Sequence, residues 1–167
     1  MTTTPRKFDS EIRISENGEW IFRGQLVTQE NILSFFKKNI KEDEHGIYIT
    51  NSYGTLTEHG YLETKCIFLK VTNYDIIENE IYLTTEDDTN LPISNFLFYS
   101  DKNEKIFCAR KSDKFIKFNF NRQVHSYLSN FLIEDNGNYF LEINETKIPI
   151  IPSEISTVVK IPEAYTK

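Results

Sequence analysis

Two stretches of this 167-residue chain carry the same signals in the same order. Residues 31–50 read NILSFFKKNIKEDEHGIYIT, and residues 122–141 read RQVHSYLSNFLIEDNGNYFL. In each, apolar residues recur at helical spacing, an acidic turn with a glycine follows, and an aromatic strand resumes. At a constant offset of 91, Leu33 meets Val124, Phe36 meets Tyr127, Asn39 meets Asn130 and Ile40 meets Phe131. Asp43 then meets Glu134, Gly46 meets Gly137, and Tyr48 meets Tyr139. The pattern predicts an α+β chain of two similar halves, each an antiparallel sheet with one packed helix. The competing explanation is coincidence, because any amphipathic helix followed by a turn and a strand gives a similar match.

Around the two helices the chain reads as strands. Thr28 is placed to cap the first helix, whose stripe is Ile32, Leu33, Phe36 and Ile40. Asn121 is placed to cap the second, whose stripe is Val124, Tyr127, Leu128, Phe131 and Leu132. EIRI and EWIFR flank Asn17-Gly18, a strong hairpin signal. Residues 55–110 show only strand patterns, including FLFYS and KIFCAR around the loop DKNE. FIKFNF alternates, with Ile116, Phe118 and Phe120 on one face and Lys117, Asn119 and Asn121 on the other. NYFLEI and TKIPI form a last hairpin. The chain therefore divides into a disordered start at 1–8, a first half at 9–75, a second half at 76–150 and an extended tail at 151–167.

Thirteen Phe and nine Tyr supply ample core material. The net charge of -6 argues against nucleic acid and anionic membrane as partners. That average hides one basic segment: between Lys105 and Arg122 six cations face Asp113 alone. The segment has two readings. Arg110 and Arg122 can pair bidentately with a phosphate or carboxylate ligand. Alternatively, the segment is a basic face matched by acids of the same protein. Cys66 and Cys108 lie apart in apolar runs and read as small hydrophobes. His45, His59 and His125 are dispersed, so no metal site is expected. The common phosphate loops and nucleophile motifs are missing, so neither a cofactor nor enzymatic activity is expected. No apolar leader is read at the N-terminus, and the expected location is cytoplasmic.

The stretches WIFRGQLV at 20–27, ILSFF at 32–36, DEHGIYIT at 43–50, FCAR at 107–110 and FIKFNFNRQVHSYL at 115–128 resemble a bacterial family of unknown function numbered twelve-eighty-five. The resemblance spans about residues 8 to 150. It implies a duplicated α+β fold with a pleckstrin-homology-like second half. It also implies a ligand site between the halves for an anionic, nucleotide-like molecule, with a role in signalling. After Thr50 the family tends to show proline, an apolar residue and glutamate, whereas this chain reads Asn51, Ser52, Tyr53.

The first functional expectation is a non-catalytic small-ligand-binding module, with Arg110, Arg122, Trp20 and Thr50 as candidate ligand contacts. The alternative is a protein-interaction module that uses a sheet edge or the C-terminal tail. The sequence does not determine the oligomeric state.

Overall fold

The computed structural model describes residues 4–154 and 156–166. It forms two compact units, each with its own sheet. The first comprises residues up to Phe68 together with Lys114–Ile116 and the C-terminal segment from Ser156. The second comprises Leu69–Asp113 and Lys117–Ile155. The expected boundary at 75/76 thus gives way to one at 68/69. The reason is that β7 (Leu69–Ile77) pairs with β12 (Phe118–Phe120) and β8 (Glu80–Thr85), both in the second sheet.

In the first unit the meander β1 (Arg6–Ile14), β2 (Trp20–Phe22) and β3 (Gln25–Leu26) precedes helix α1 (Glu30–Lys38). β4 (Ile40–Glu42), β5 (Ile47–Tyr53) and β6 (Leu56–Thr64) follow. The sheet order is β3-β2-β1-β6-β5-β4, and β1 and β6 are parallel. Residues 1–3 lie outside the described residues. Arg6, Lys7 and Phe8, expected in a disordered start, open β1 because Glu58, His59 and Gly60 of β6 offer a parallel ladder. The chain from Ser156 joins this unit, with Val159 bridged to Thr64 and Tyr165 stacked on Tyr61 at 5.3 Å.

The second unit repeats the element order. The meander β10 (Phe96–Ser100), β11 (Ile106–Arg110) and β12 precedes helix α2 (Arg122–Ser129). β13 (Leu132–Asp135), β14 (Asn138–Ile143) and β15 (Thr146–Pro152) follow. Its strand order β13-β14-β15-β10-β11-β12 matches the first sheet read backwards, down to the parallel pair β10·β15. β7, β8 and β9 (Asn90–Pro92) extend it to nine strands. Both sheets are thus mixed rather than purely antiparallel.

Register corrects the alignment by one residue. Ile40 pairs with Ile49 and Glu42 with Ile47, while Leu132 pairs with Leu141 and Glu134 with Tyr139. The hairpins therefore correspond at an offset of 92, with Ile40 opposite Leu132 in the comparison. The helices also start 92 apart, at caps Gln29 and Asn121, and end 91 apart, at Asn39 and Asn130, because α2 is one residue shorter than α1. The two glycines that matched at 91 do different work. Gly137, with φ +82 after Asn136 at φ +52, makes a tight hairpin turn. Gly46 has no positive φ, and its N–H donates to Asp43 Oδ1 at 3.2 Å. Tyr48 consequently corresponds to Phe140, and exposed Tyr139 to buried Ile47.

The caps also differ from expectation. Gln29, not Thr28, precedes α1 and makes no side-chain cap, whereas Asn121 accepts the Val124 N–H at 2.9 Å as expected. Ile40, read as the last stripe position of the first helix, instead starts β4 and is fully buried.

Candidate functional site

An aromatic pocket of about 250 Å³ lies in the first unit, bordered by Phe35 and Phe36 of α1 and by one face of the sheet. Alternation fixes which side chains reach it. Ile49, Asn51 and Tyr53 share a face of β5, and their partners Gly60 and Glu58 on β6 share it too. Phe8, Ser10 and Ile12 of β1 and Phe22 of β2 complete the lining. Gly60 makes room: a Cβ there would sit 3.0 Å from Ser10 Cβ and 3.3 Å from the Phe8 ring.

The pocket carries a few fixed polar groups. Asn51 Nδ2 donates to Tyr53 Oη at 2.6 Å, which leaves the Asn51 carbonyl oxygen and the Tyr53 hydroxyl hydrogen for a ligand. β1 is bulged beside it, with Glu11 at φ +64 and a register shift between Asp9 and Arg13. Ser10 Oγ pins the bulge by donating to Tyr61 O at 2.6 Å and accepting the Ile12 N–H at 3.1 Å. Two arginines stand against the lining rings. Arg6 lies 5.2 Å from the Phe8 centroid and pairs with Glu58 at 3.2 Å. Arg23 lies 5.0 Å from the Phe22 centroid and pairs with Glu11. Both guanidinium side chains are largely exposed, and such pairs are weak.

The opposite face of the same sheet holds a titratable cluster. His59 stacks on Tyr48 at 4.0 Å, and Tyr61 donates its hydroxyl to Asp43, which also meets Lys7 at 3.5 Å. Burial pushes the Asp43 carboxyl up, but hydrogen bonds from Tyr61 and the N–H groups of His45 and Gly46 outweigh it, so the net shift is downward. Burial, with Lys7 nearby, lowers His59, whose Nδ1 is buried without a partner among the described residues. Burial and then the bond to Asp43 raise Tyr61.

Of the expected site residues, Trp20 is buried in β2, stacked on pocket residue Phe36 at 5.7 Å and edge-on to Phe68 at 5.5 Å. Thr50 pairs with His59, so its side chain points to the tyrosine face, away from the pocket. In the second unit Arg110 is buried between two carboxylates, with Nε 2.6 Å from Asp113 and Nη1 2.6 Å from Asp87. Its guanidinium also lies 5.0 Å from the Phe118 centroid. Burial lowers Arg110 but the two acids outweigh it, so its charge is held; burial raises Asp87 but the bonds from Thr85 and Arg110 outweigh that as well. Arg122 is exposed at the first turn of α2. The basic segment is thus matched by acids of its own unit at Arg110 and open at Arg122.

Two further concavities lie in the second unit. An open groove of about 1090 Å³ has an apolar floor including Ile81, Phe98 and Ile148, but Glu78, Glu80 and Glu145 offset Lys111 and Lys147 along it. A gap of about 70 Å³ lies under α2, lined by Leu128, Leu132 and Leu141 among others. Among the described residues no group of three or more His, Cys, Asp and Glu is placed to hold a metal. Among the same residues no helix is long and apolar enough to cross a membrane.

The sequence reading missed Phe8, Phe22, Phe35 and Asn51 as pocket lining. Aromatics in an alternating strand look the same whether they fill a core or line a gap. One signal was present: Asn51 to Tyr53 is where this chain departs from the family pattern, and that departure lies at the pocket.

No protein-family model matches the chain, and no curated protein matches it. Solved structures do. A DUF1285 family protein from Silicibacter pomeroyi DSS-3 superposes with a TM-score of 0.63 at 13% identity, over 89% of this chain and 84% of that one. One from Shewanella baltica OS155 superposes with a TM-score of 0.50 at 10% identity, over 72% of this chain and 91% of that one. The chain is an α+β protein of two sheet-and-helix units. Its fold is that of the DUF1285 family, the resemblance expected from the sequence.

Proposed function

We propose that the protein is a non-catalytic ligand-binding module whose first unit takes a planar, nucleotide-like anion. The observation that carries this reading is the aromatic pocket. Phe35 and Tyr53 are exposed and Phe8, Phe22 and Phe36 line the remainder, which suits a ring system that stacks. Asn51 and Tyr53 supply an acceptor and a donor for the ring edge. Arg6 and Arg23, held only by exposed ion pairs, supply cations within reach of two lining rings. Arg122, the exposed member of the two arginines expected from the sequence, lies on the second unit and is a separate candidate anion contact there. A signalling role is the use the family resemblance implies.

The test is a titration with nucleoside mono- and diphosphates, read by Trp20 fluorescence and thermal shift. A ligand at ~100 times its dissociation constant adds about 2.7 kcal/mol to stability. Phe35→Ala and Tyr53→Ala each weaken binding about tenfold, the scale of one lost stacking contact. Arg6→Ala weakens it less and flattens its salt dependence. Wild-type protein that gives neither a fluorescence change nor a thermal shift with any member of the panel rules the reading out.

We infer in addition that the two units arose by duplication. The shared element order, the matching parallel pair and the common hairpin register support it. The pleckstrin-homology-like reading of the second unit rests on the family resemblance alone.

A further inference from the structure

The register shared by the two hairpins exposes a difference between them. In the first unit β4 is a sheet edge, and Glu42 on it grips a segment of chain. Its carboxylate accepts the N–H of Lys114 at 2.8 Å, of Phe115 at 3.1 Å and of Ile116 at 2.9 Å. Three successive backbone donors converge on one carboxylate, a charge-assisted arrangement stronger than neutral bonds. The hairpin flank around it is closed, with Ile40 0% and Ile47 1% exposed, and Ile116 of the gripped segment is itself buried.

In the second unit β13 is likewise a sheet edge. Glu134 occupies the position of Glu42, paired across to Tyr139 as Glu42 is to Ile47. Here the flank is open: Leu132, the counterpart of Ile40, is 38% exposed, and Tyr139, the counterpart of Ile47, is 41% exposed. Glu134 is exposed, and among the described residues no hydrogen bond reaches its carboxylate. Asp135 and Glu142, also exposed, make the surroundings acidic, while Lys147 is turned to Asp135 at 3.6 Å.

The geometry points to the Leu132–Glu134–Tyr139 flank of the β13–β14 hairpin as a docking seat for a segment of another protein. The occupant of the first seat defines its chemistry. The docked segment carries a basic residue, an aromatic and an aliphatic in succession, with three backbone N–H groups aimed at Glu134 and the aliphatic side chain over Leu132 and Tyr139. A second copy of this chain is not the occupant, because its one matching segment is already engaged at its own Glu42. The exposed apolar pair supplies buried area, and the acidic rim selects a basic partner. This seat is in the second unit and independent of the aromatic pocket.

The test uses a labelled, end-blocked peptide with the sequence of residues 112–118, SDKFIKF, titrated against the full chain by fluorescence polarisation. Saturable binding is expected, weakened about tenfold or more by Glu134→Gln and by Leu132→Asp, since each removes a central contact. Glu134 is exposed, so circular dichroism and melting temperature of Glu134→Gln should stay at the wild-type values, and this variant separates binding from folding; Leu132 also lines the gap under α2. N-methylation of the Phe and Ile amides of the peptide should abolish binding, because it deletes two of the three donors. Three results overturn the proposal: no binding up to about 1 mM peptide, a concentration that would reveal even a weak complex; binding lost in Glu42→Gln but kept in Glu134→Gln; or a wild-type dimer that Leu132→Asp dissociates.

Discussion

The helix of the second unit is seated in its sheet, and the helix of the first is not. α2 buries Val124 and Leu128, is capped by Asn121 and leaves a gap of about 70 Å³ beneath it. α1 buries none of its residues, has no side-chain cap and borders a pocket of about 250 Å³. Phe36 and Leu128 are counterparts at the offset of 92, and both line these gaps. Leucine packs down between strands, while Phe36 stacks flat on Trp20 and the neighbouring Phe35 stands in solvent. The same element order thus gives one unit a filled interface and the other a usable opening. Close packing stabilises, and a binding site is a place where it is withheld.

The largest effect that sharpens this contrast is at Arg110. Replacing it with Met leaves Asp87 and Asp113 buried without their partner, and should cost about 3–5 kcal/mol in urea unfolding. A loss near zero would mean that the second unit is not held by that ion pair set.

Next comes the helix comparison itself. Leu128→Ala should destabilise by about 2–5 kcal/mol, as buried leucine truncations do. Phe35→Ala, at an exposed position, should stay within about 0.5 kcal/mol. Equal losses at the two sites would erase the distinction between a seated and an open helix.

The caps give a smaller and opposite pair of effects. Asn121→Ala should cost about 1 kcal/mol, and Gln29→Asp should add up to about 1 kcal/mol by giving α1 the cap it lacks. Native-state hydrogen exchange read at each helix separates them.

The smallest effect is the pH response, which also differs between units. Burial holds His59 below its ordinary value of 6.5, so the unfolded chain takes up a proton more readily than the folded one. The first unit is therefore at full stability above about 6.5 and loses some as the pH drops through the interval below. In the second unit Asp87 is held below its ordinary value of 3.8, so its contribution is intact near neutrality and lost only in stronger acid. His59→Gln should flatten the first slope and leave the second.

Much of the secondary structure was legible in the sequence. The Asn121 cap, the β10–β11 and β14–β15 hairpins and the turn after Ile14 follow from local chemistry, which acts over a few residues. The repeat was visible for the same reason, as a recurring order of local signals. Its true offset was not, because register is set by ladder bonds between strands and not by the local pattern of apolar residues. The start at Arg6 was legible only once β6 was in place to pair with it. Composition showed that cations gather between Lys105 and Arg122, but neutralisation of Arg110 depends on Asp87, 23 residues earlier in the chain. The aromatic pocket is likewise a tertiary result. The sequence placed Phe22 on a strand and Phe35 on a helix, whereas Phe8 joined a strand only through its ladder with β6. Only the packing of α1 against the sheet decided that they would surround a space instead of filling it, because a gap is the part of a fold that no residue encodes.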